Sequence, residues 1–301
     1  MSHSRAVFLM ILVTLMWSIA GVVTRHLQGA ESFEVTFWRS AFTLLALTIG
    51  LSAMRGAAWW REVLRGRWPV WASGLCWAVM FTAFMVAITL TTVANVLVTL
   101  AVAPLVTAVF ARIVLHHRLP ARTWAAIVVA GVGIGWMFGR EMQLGGGALA
   151  GMAVALAVPL AGAVNWTLLQ HIAHGSGDPD EPAHDMLPAV WIGAVISALA
   201  TLPLAWPLRT SGHDLSLLAL LGVVQLAIPC LLAVRLTRVL PGPEIALLAL
   251  LEVIFGVAWA WLGAGEAPGP SALVGGALVL SALVGNELWA LRRPAAVPAA
   301  S

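Results

Sequence analysis

The sequence predicts an all-α polytopic membrane protein with ten transmembrane helices arranged as two inverted five-helix repeats. Three observations carry this. Of 301 residues, 61% are hydrophobic and only 10% charged, whereas a soluble domain carries about 25% charged residues. Apolar segments of about 20 residues, the length that crosses a bilayer once, recur from end to end between short Arg-bearing loops. The Arg content of those loops reverses between the two halves.

The predicted spans are 6–27, 33–54, 69–89, 93–115, 121–139, 147–171, 186–207, 215–236, 243–263 and 268–289. Ala6 to Thr24 carries no charge. It is longer than a signal-peptide core and no small-residue cleavage site follows, so a retained first span is expected. Trp68 to Ala111 holds no Asp, Glu, Lys or Arg. As one helix it would be about 66 Å long, twice the hydrocarbon thickness, so it must fold back near Thr91 and Thr92. Segment 57–68 mixes Trp with Arg and is expected in the interface. Trp124, Trp136, Trp206, Trp259 and Trp289 sit near span ends, where belt anchoring accounts for them.

All 16 basic residues are Arg. With the N-terminus inside, twelve Arg fall in inside segments, and three, Arg25, Arg140 and Arg209, fall outside. Both termini are therefore expected in the cytoplasm of a bacterial-type inner membrane. This distribution orients a membrane protein; it is not a nucleic-acid patch, and no nucleic-acid partner is expected. Cys76 and Cys230 lie in apolar runs and read as small buried hydrophobes. The linker 171–185 gathers three His and four acids. A solvated cytoplasmic connection is expected there rather than a metal site, although His171 and His174 share a helical face.

APLVTAVFARIVLHHRLP from Ala103 and EVIFGVAWAWLGAGEAPG from Glu252 share one plan, an apolar helix, a short polar turn and then a Gly-rich apolar helix. WAAIVVAGVGIGW from Trp124 and LVGGALVLSALVG from Leu273 continue it in register. The halves, 1–140 and 141–301, then hold five spans each. Five is odd, so they lie upside-down to one another, a transporter signature with the substrate held near the midplane.

The pattern WSIAGVVTRHL (17–27), FWRSAF (37–42), Ala103–Pro104 and LGAGEAPGP (262–270) resembles the EamA-type transporters of the drug/metabolite transporter superfamily over essentially the whole chain. Within that superfamily it is similar to the YddG-like aromatic amino-acid exporters. The resemblance implies export of small metabolites, amino acids first, by a monomer without a cofactor. Amphipathic drugs are the alternative cargo. One departure stands out: the Gly-Glu turn common after both the fourth and ninth spans is kept at Gly265–Glu266, but His116–His117 occupies its first-half place.

Several residues are candidates for transport. Pro104, Pro159 and Pro229 fall inside spans and kink them. Glu252 sits at the centre of the ninth span, where a charge costs about 2.5–3.5 kcal/mol on insertion scales. It is expected to face the bundle as a proton site, a substrate-amine contact or a structural hydrogen bond. Glu244 is expected to pair with Arg235 or Arg238. Arg39 either snorkels or pairs with a buried acid. Trp17, Trp77 and Trp166 lie deeper than the belt and suit an amphipathic solute. Asn95, Thr99, Asn165 and Gln225 are polar groups at depth, able to bind a substrate backbone or to join helices.

An intramembrane enzyme would need paired Asp, a Ser/His pair or HExxH at depth, and the spans carry none. A channel would need a ring of like charges or a filter loop. A non-transporting scaffold would not need two opposed halves.

Overall fold

The structure is a computed structural model. It describes residues 3–56, 59–60, 63, 68–114, 120–144, 146–175, 187–236, 239–240 and 242–292. The side chains at 111, 166, 169–175, 234, 242–247, 287 and 290–292 are outside the description. Every secondary-structure element among these residues is helical. In chain order they are α1 (His3–Ser18), α2 (Ala20–Arg25), α3 (Ser32–Arg55), α4 (Trp68–Leu90), α5 (Val93–Leu100), α6 (Ala103–Val114), α7 (Ala121–Gln143), α8 (Leu149–Ala155), α9 (Ala157–Gly175), α10 (Leu187–Ala205), α11 (Gly212–Leu220), a π-helix (Leu221–Ala227), α12 (Ile228–Leu236), α13 (Gly242–Ala264) and α14 (Pro270–Arg292).

Among the described residues, seven helical segments are long and apolar enough to cross a membrane, and three shorter apolar stretches lie at Leu149–Asn165, Leu248–Ala264 and Pro270–Asn286. The chain is a multi-pass membrane protein. Its fold-back falls at Thr91–Thr92, where the Thr92 hydroxyl caps α5 by accepting from the Asn95 N–H at 3.2 Å.

The expected prolines explain where helices break. Pro104, Pro159 and Pro229 each lie at the start of a new helical segment, just past the joints α5–α6, α8–α9 and π-helix–α12. Having no N–H, each leaves the carbonyl four residues back, on Leu100, Ala155 and Gln225, without its helical donor. Pro203, inside α10 near its end, did not stand out in the sequence.

Packing is set by close approaches and buried hydroxyls. α14 lies along α7, and α10 packs on both α3 and α4. α1 contacts α13 and α12, α9 contacts α6 and α4, and α3 contacts the π-helix. A Cβ at Gly222 would lie 2.5 Å from the Phe42 Cβ and 2.7 Å from the Arg39 carbonyl, so only glycine permits this approach of π-helix to α3. Gly74 plays the same part between α4 and α10, where a Cβ would lie 2.4 Å from Ile192. Where α3, α4 and α10 meet, the Ser197 hydroxyl is 2.9 Å from both the Ser40 and Thr82 hydroxyls, the small-residue and hydroxyl glue of membrane helices. Trp59, of the segment expected in the interface, is buried and packs with Trp60 and Trp191. Trp124, Trp136, Trp206, Trp259 and Trp289 remain exposed at helix ends.

One end of the bundle is tied together by acids. Glu34 accepts from the Arg209 and Thr210 N–H groups at 2.6 and 2.7 Å and from the Thr210 hydroxyl. Asp214 accepts from the Gln28, Gly29 and Ala30 N–H groups at 3.0, 3.0 and 3.2 Å. Each acid starts one helix and caps the loop leading to another. Glu266 pairs with Arg25 and accepts from the Val93 N–H at 2.6 Å. The same Arg25 donates to the Ile88 and Thr91 carbonyls at 2.8 and 2.7 Å.

Candidate functional site

A charged and polar centre forms around Arg39, about two turns inside α3. Arg39, on α3, does not snorkel: it is buried at 2% exposure. Its Nε donates to the Gln225 Oε1 at 3.2 Å and its Nη1 to the Phe81 carbonyl at 3.5 Å, while the guanidinium stands 5.5 Å from the Phe84 ring centroid. Gln225 in turn donates from Nε2 to the Trp17 carbonyl at 3.2 Å. A cation in an apolar bundle must be solvated by protein dipoles and π-faces, and these groups supply that.

The π-helix is what brings Gln225 there. Its wider turn accommodates an extra residue within the helix and is found frequently at functional sites. Here it spans Leu221–Ala227, between the Gly222 approach to α3 and Pro229.

Glu252, near the middle of α13, is half-buried. One turn on, Gly256 packs between Leu97 and the Ser18 carbonyl, so this face of α13 looks inward at α1 and α5. The Glu252 carboxyl and the Arg39 guanidinium act on each other electrostatically, and both act on the Cys230 thiol. Cys230, on α12, is buried next to the half-buried Trp17 indole. Trp77 is half-buried and packs on Phe81 with ring centroids 5.4 Å apart.

The structure thus joins Arg39 to Gln225 and Gln225 to the Trp17 carbonyl, with Glu252 acting on Arg39 at longer range and Trp77 packed on Phe81. The remaining candidates sit elsewhere. Asn95 is buried at the acid-tied end, with Nδ2 donating to the Thr91 hydroxyl at 3.2 Å. The Thr99 hydroxyl donates to the Asn95 carbonyl of its own helix at 2.7 Å. Asn165 is fully buried between α9 and α4, its Oδ1 accepting from Ser73 at 2.6 Å and its Nδ2 without a partner. The side chains of Trp166 and Glu244, Arg238, His116–His117 and most of the 171–185 linker lie outside the described residues. Arg235 donates to the Met54 sulfur at 3.6 Å. Among the described residues no group of three His, Cys, Asp or Glu is placed to hold a metal.

Arg39 is the residue that sequence reasoning undervalued. Its signal was available: it is the one Arg well inside a span. The acids Glu34 and Asp214 also gave a signal, each lying in the first turn of a helix just after a polar loop.

Residues 4–139 match the model of the EamA-like transporter family. No curated protein sequence matches the chain significantly. Among solved structures, 14 chains match. One, described only as a crystal structure of protein, aligns with a TM-score of 0.64 at 20% identity, over 97% of this chain and 99% of its own. At that identity the likeness concerns the fold.

Proposed function

We propose that this protein is an inner-membrane secondary transporter that exports small metabolites, most of all amino acids including aromatic and hydrophobic ones, by alternating access. The observation that carries this is the centre itself: a buried Arg39 bonded to the π-helical Gln225 and set over the Phe84 ring, with the inward-facing Glu252 acting on it at longer range. A buried cation and an ionisable acid at depth suit a solute carrying both a carboxylate and an amine, and the aromatic wall of Trp17, Phe81 and Phe84 suits an apolar side chain. The same wall favours the second reading, an exporter of amphipathic drugs. Trp166, Asn95, Thr99 and Asn165 belong to this proposal as residues that line the path in other states of the cycle.

The architecture proposed for it is ten spans in two inverted repeats, 1–140 and 141–301. Helix pairing supports this. Under a shift of five spans, the α1–α13 contact maps onto α9–α6, and α1–α12 onto α9–α4. The contact of α3 with the π-helix maps onto α10–α4, and α7–α14 and α3–α10 map onto themselves.

Cytoplasmic termini rest on the twelve-to-three Arg imbalance. Reporter fusions after Pro182 and at the C-terminus should both be active only as cytoplasmic reporters; periplasmic activity at either rejects the orientation. Export is tested in membrane vesicles loaded with an amino-acid and drug panel. Substrate-dependent efflux of amino acids above protein-free controls is expected, and flux of drugs alone selects the second reading.

A further inference from the structure

We propose that the cleft between α6 and α7 binds one acyl chain of an anionic phospholipid, with its headgroup phosphate at Arg112. The cleft is lined by Leu105, Val106 and Val109 of α6 and by Ile127, Gly131 and Ile134 of α7, and it encloses about 290 Å³. It exists because the two helices lean on different partners. α6 packs on α9 and α7 on α14, and they touch one another only lightly.

The occupant follows from the lining. An apolar cavity offers water no hydrogen bonds and stays dry, while an empty one forfeits dispersion contacts along its walls. The face of α7 beside the cleft carries Val128 and Val132 at 63% and 60% exposure, so the cleft opens towards hydrocarbon. The volume holds on the order of ten groups of water or methylene size, a substantial part of one acyl chain.

The mouth supplies the headgroup chemistry. Arg112 is exposed in the last turn of α6 and lies three residues beyond Val109, on the same stripe as Leu105. On the antiparallel α7, Trp124 is 47% exposed, three residues before Ile127. An exposed Arg just past the cleft-lining stripe of α6 and an exposed Trp just before that of α7 match the phosphate and glycerol chemistry of a lipid.

The structure also supplies the test. A Cβ at Gly131 or at Gly135 meets nothing within 4 Å, so both accept large side chains, yet only Gly131 lines the cleft. The full chain is reconstituted in nanodiscs holding equal phosphatidylglycerol and phosphatidylcholine, washed in mild detergent and weighed by native mass spectrometry. Wild type should retain phosphatidylglycerol over phosphatidylcholine. G131F should retain at least fivefold less lipid and G135F as much as wild type. R112Q should hold both lipids equally. G131L, with a thermal-unfolding check on each variant, stands in for G131F if that chain does not fold. Wild-type retention in the residue-131 variants overturns the proposal, as does equal loss in G135F or an undiminished preference in R112Q. A wild-type dimer that G131F splits, with no bound lipid, assigns the cleft to a second copy and overturns it too.

Discussion

At the scale of residues, the centre is a problem of solvating charge where water is scarce. Arg39 is held by the Gln225 amide oxygen, a backbone carbonyl and the face of Phe84, and Glu252 supplies the opposite charge at longer range. Among the described residues, Arg39 and Glu252 are the charged pair at this depth, so a change of charge on Glu252 is felt by Arg39 and by any bound solute. The comparison E252Q under an imposed pH gradient separates two roles. If the carboxyl takes up and releases a proton during the cycle, Gln keeps substrate counterflow but loses the response to the gradient. That is the expected outcome. A gradient response equal to wild type would leave Glu252 a hydrogen-bonding group that Gln mimics.

At the scale of elements, the Arg39 centre depends on helices that are not regular. The π-helix can present Gln225 to Arg39 only because Gly222 lets it lie against α3, with the Thr43 hydroxyl donating to the Gly222 carbonyl at 3.0 Å. Adding one methyl there drives it into the Phe42 Cβ and the Arg39 carbonyl. Overpacking of this kind costs about 1–3 kcal/mol, so G222A should lower the unfolding temperature in detergent and weaken transport together; an unchanged variant would mean that the approach is adjustable.

These elements also mark how far a sequence can be read. The seven long apolar helices and the fold-back at Thr91–Thr92 were legible because apolar length, charge and Pro are local signals. So were the helix joints, since Pro104, Pro159 and Pro229 announce missing donors by themselves. The π-helix was not legible: LGVVQLA has nothing in its composition to set it apart, and its widened turn is settled by Gly222 against α3 and by Pro229 beyond. Likewise Asn95, Asn165 and Gln225 looked alike as polar residues at depth. Only tertiary packing distinguishes Gln225, bonded to Arg39, from Asn95 and Asn165, enclosed between helices.

At the scale of the whole molecule, the acids form a seal across one end. Glu34 and Asp214 tie the α2–α3 and α10–α11 loops to each other's helices, and Glu266 bridges Arg25 and the start of α5. This is the role of the Gly265–Glu266 turn: it anchors the α13–α14 turn to the ends of α2 and α4. In the alternating-access cycle proposed above such a seal would break once per cycle, and the ease of breaking it would set how often the centre is reached from that side. The Arg25 and Glu266 side chains keep 26% and 18% of their exposure, so solvent screens the pair and its share is modest, about 1 kcal/mol or less. A seal of several such contacts is nonetheless enough to bias a two-state equilibrium, since each 1.4 kcal/mol changes populations about tenfold. The native Cys230 reports on this without a new probe, being buried beside Trp17 and Arg39. With Cys76 replaced by Ala, a membrane-impermeant maleimide added from the sealed side should label wild-type Cys230 slowly. E266Q keeps an acceptor for the Val93 N–H but loses the ion pair, and R25Q loses the pair and its charge on the Ile88 and Thr91 carbonyls. Both should label about 3–10-fold faster, a shift of about 0.7–1.4 kcal/mol, while labelling from the opposite side stays level or falls. Equal acceleration from both sides would point to general loosening of the bundle, and no acceleration from either would show that the seal holds the loops together without governing access to the centre.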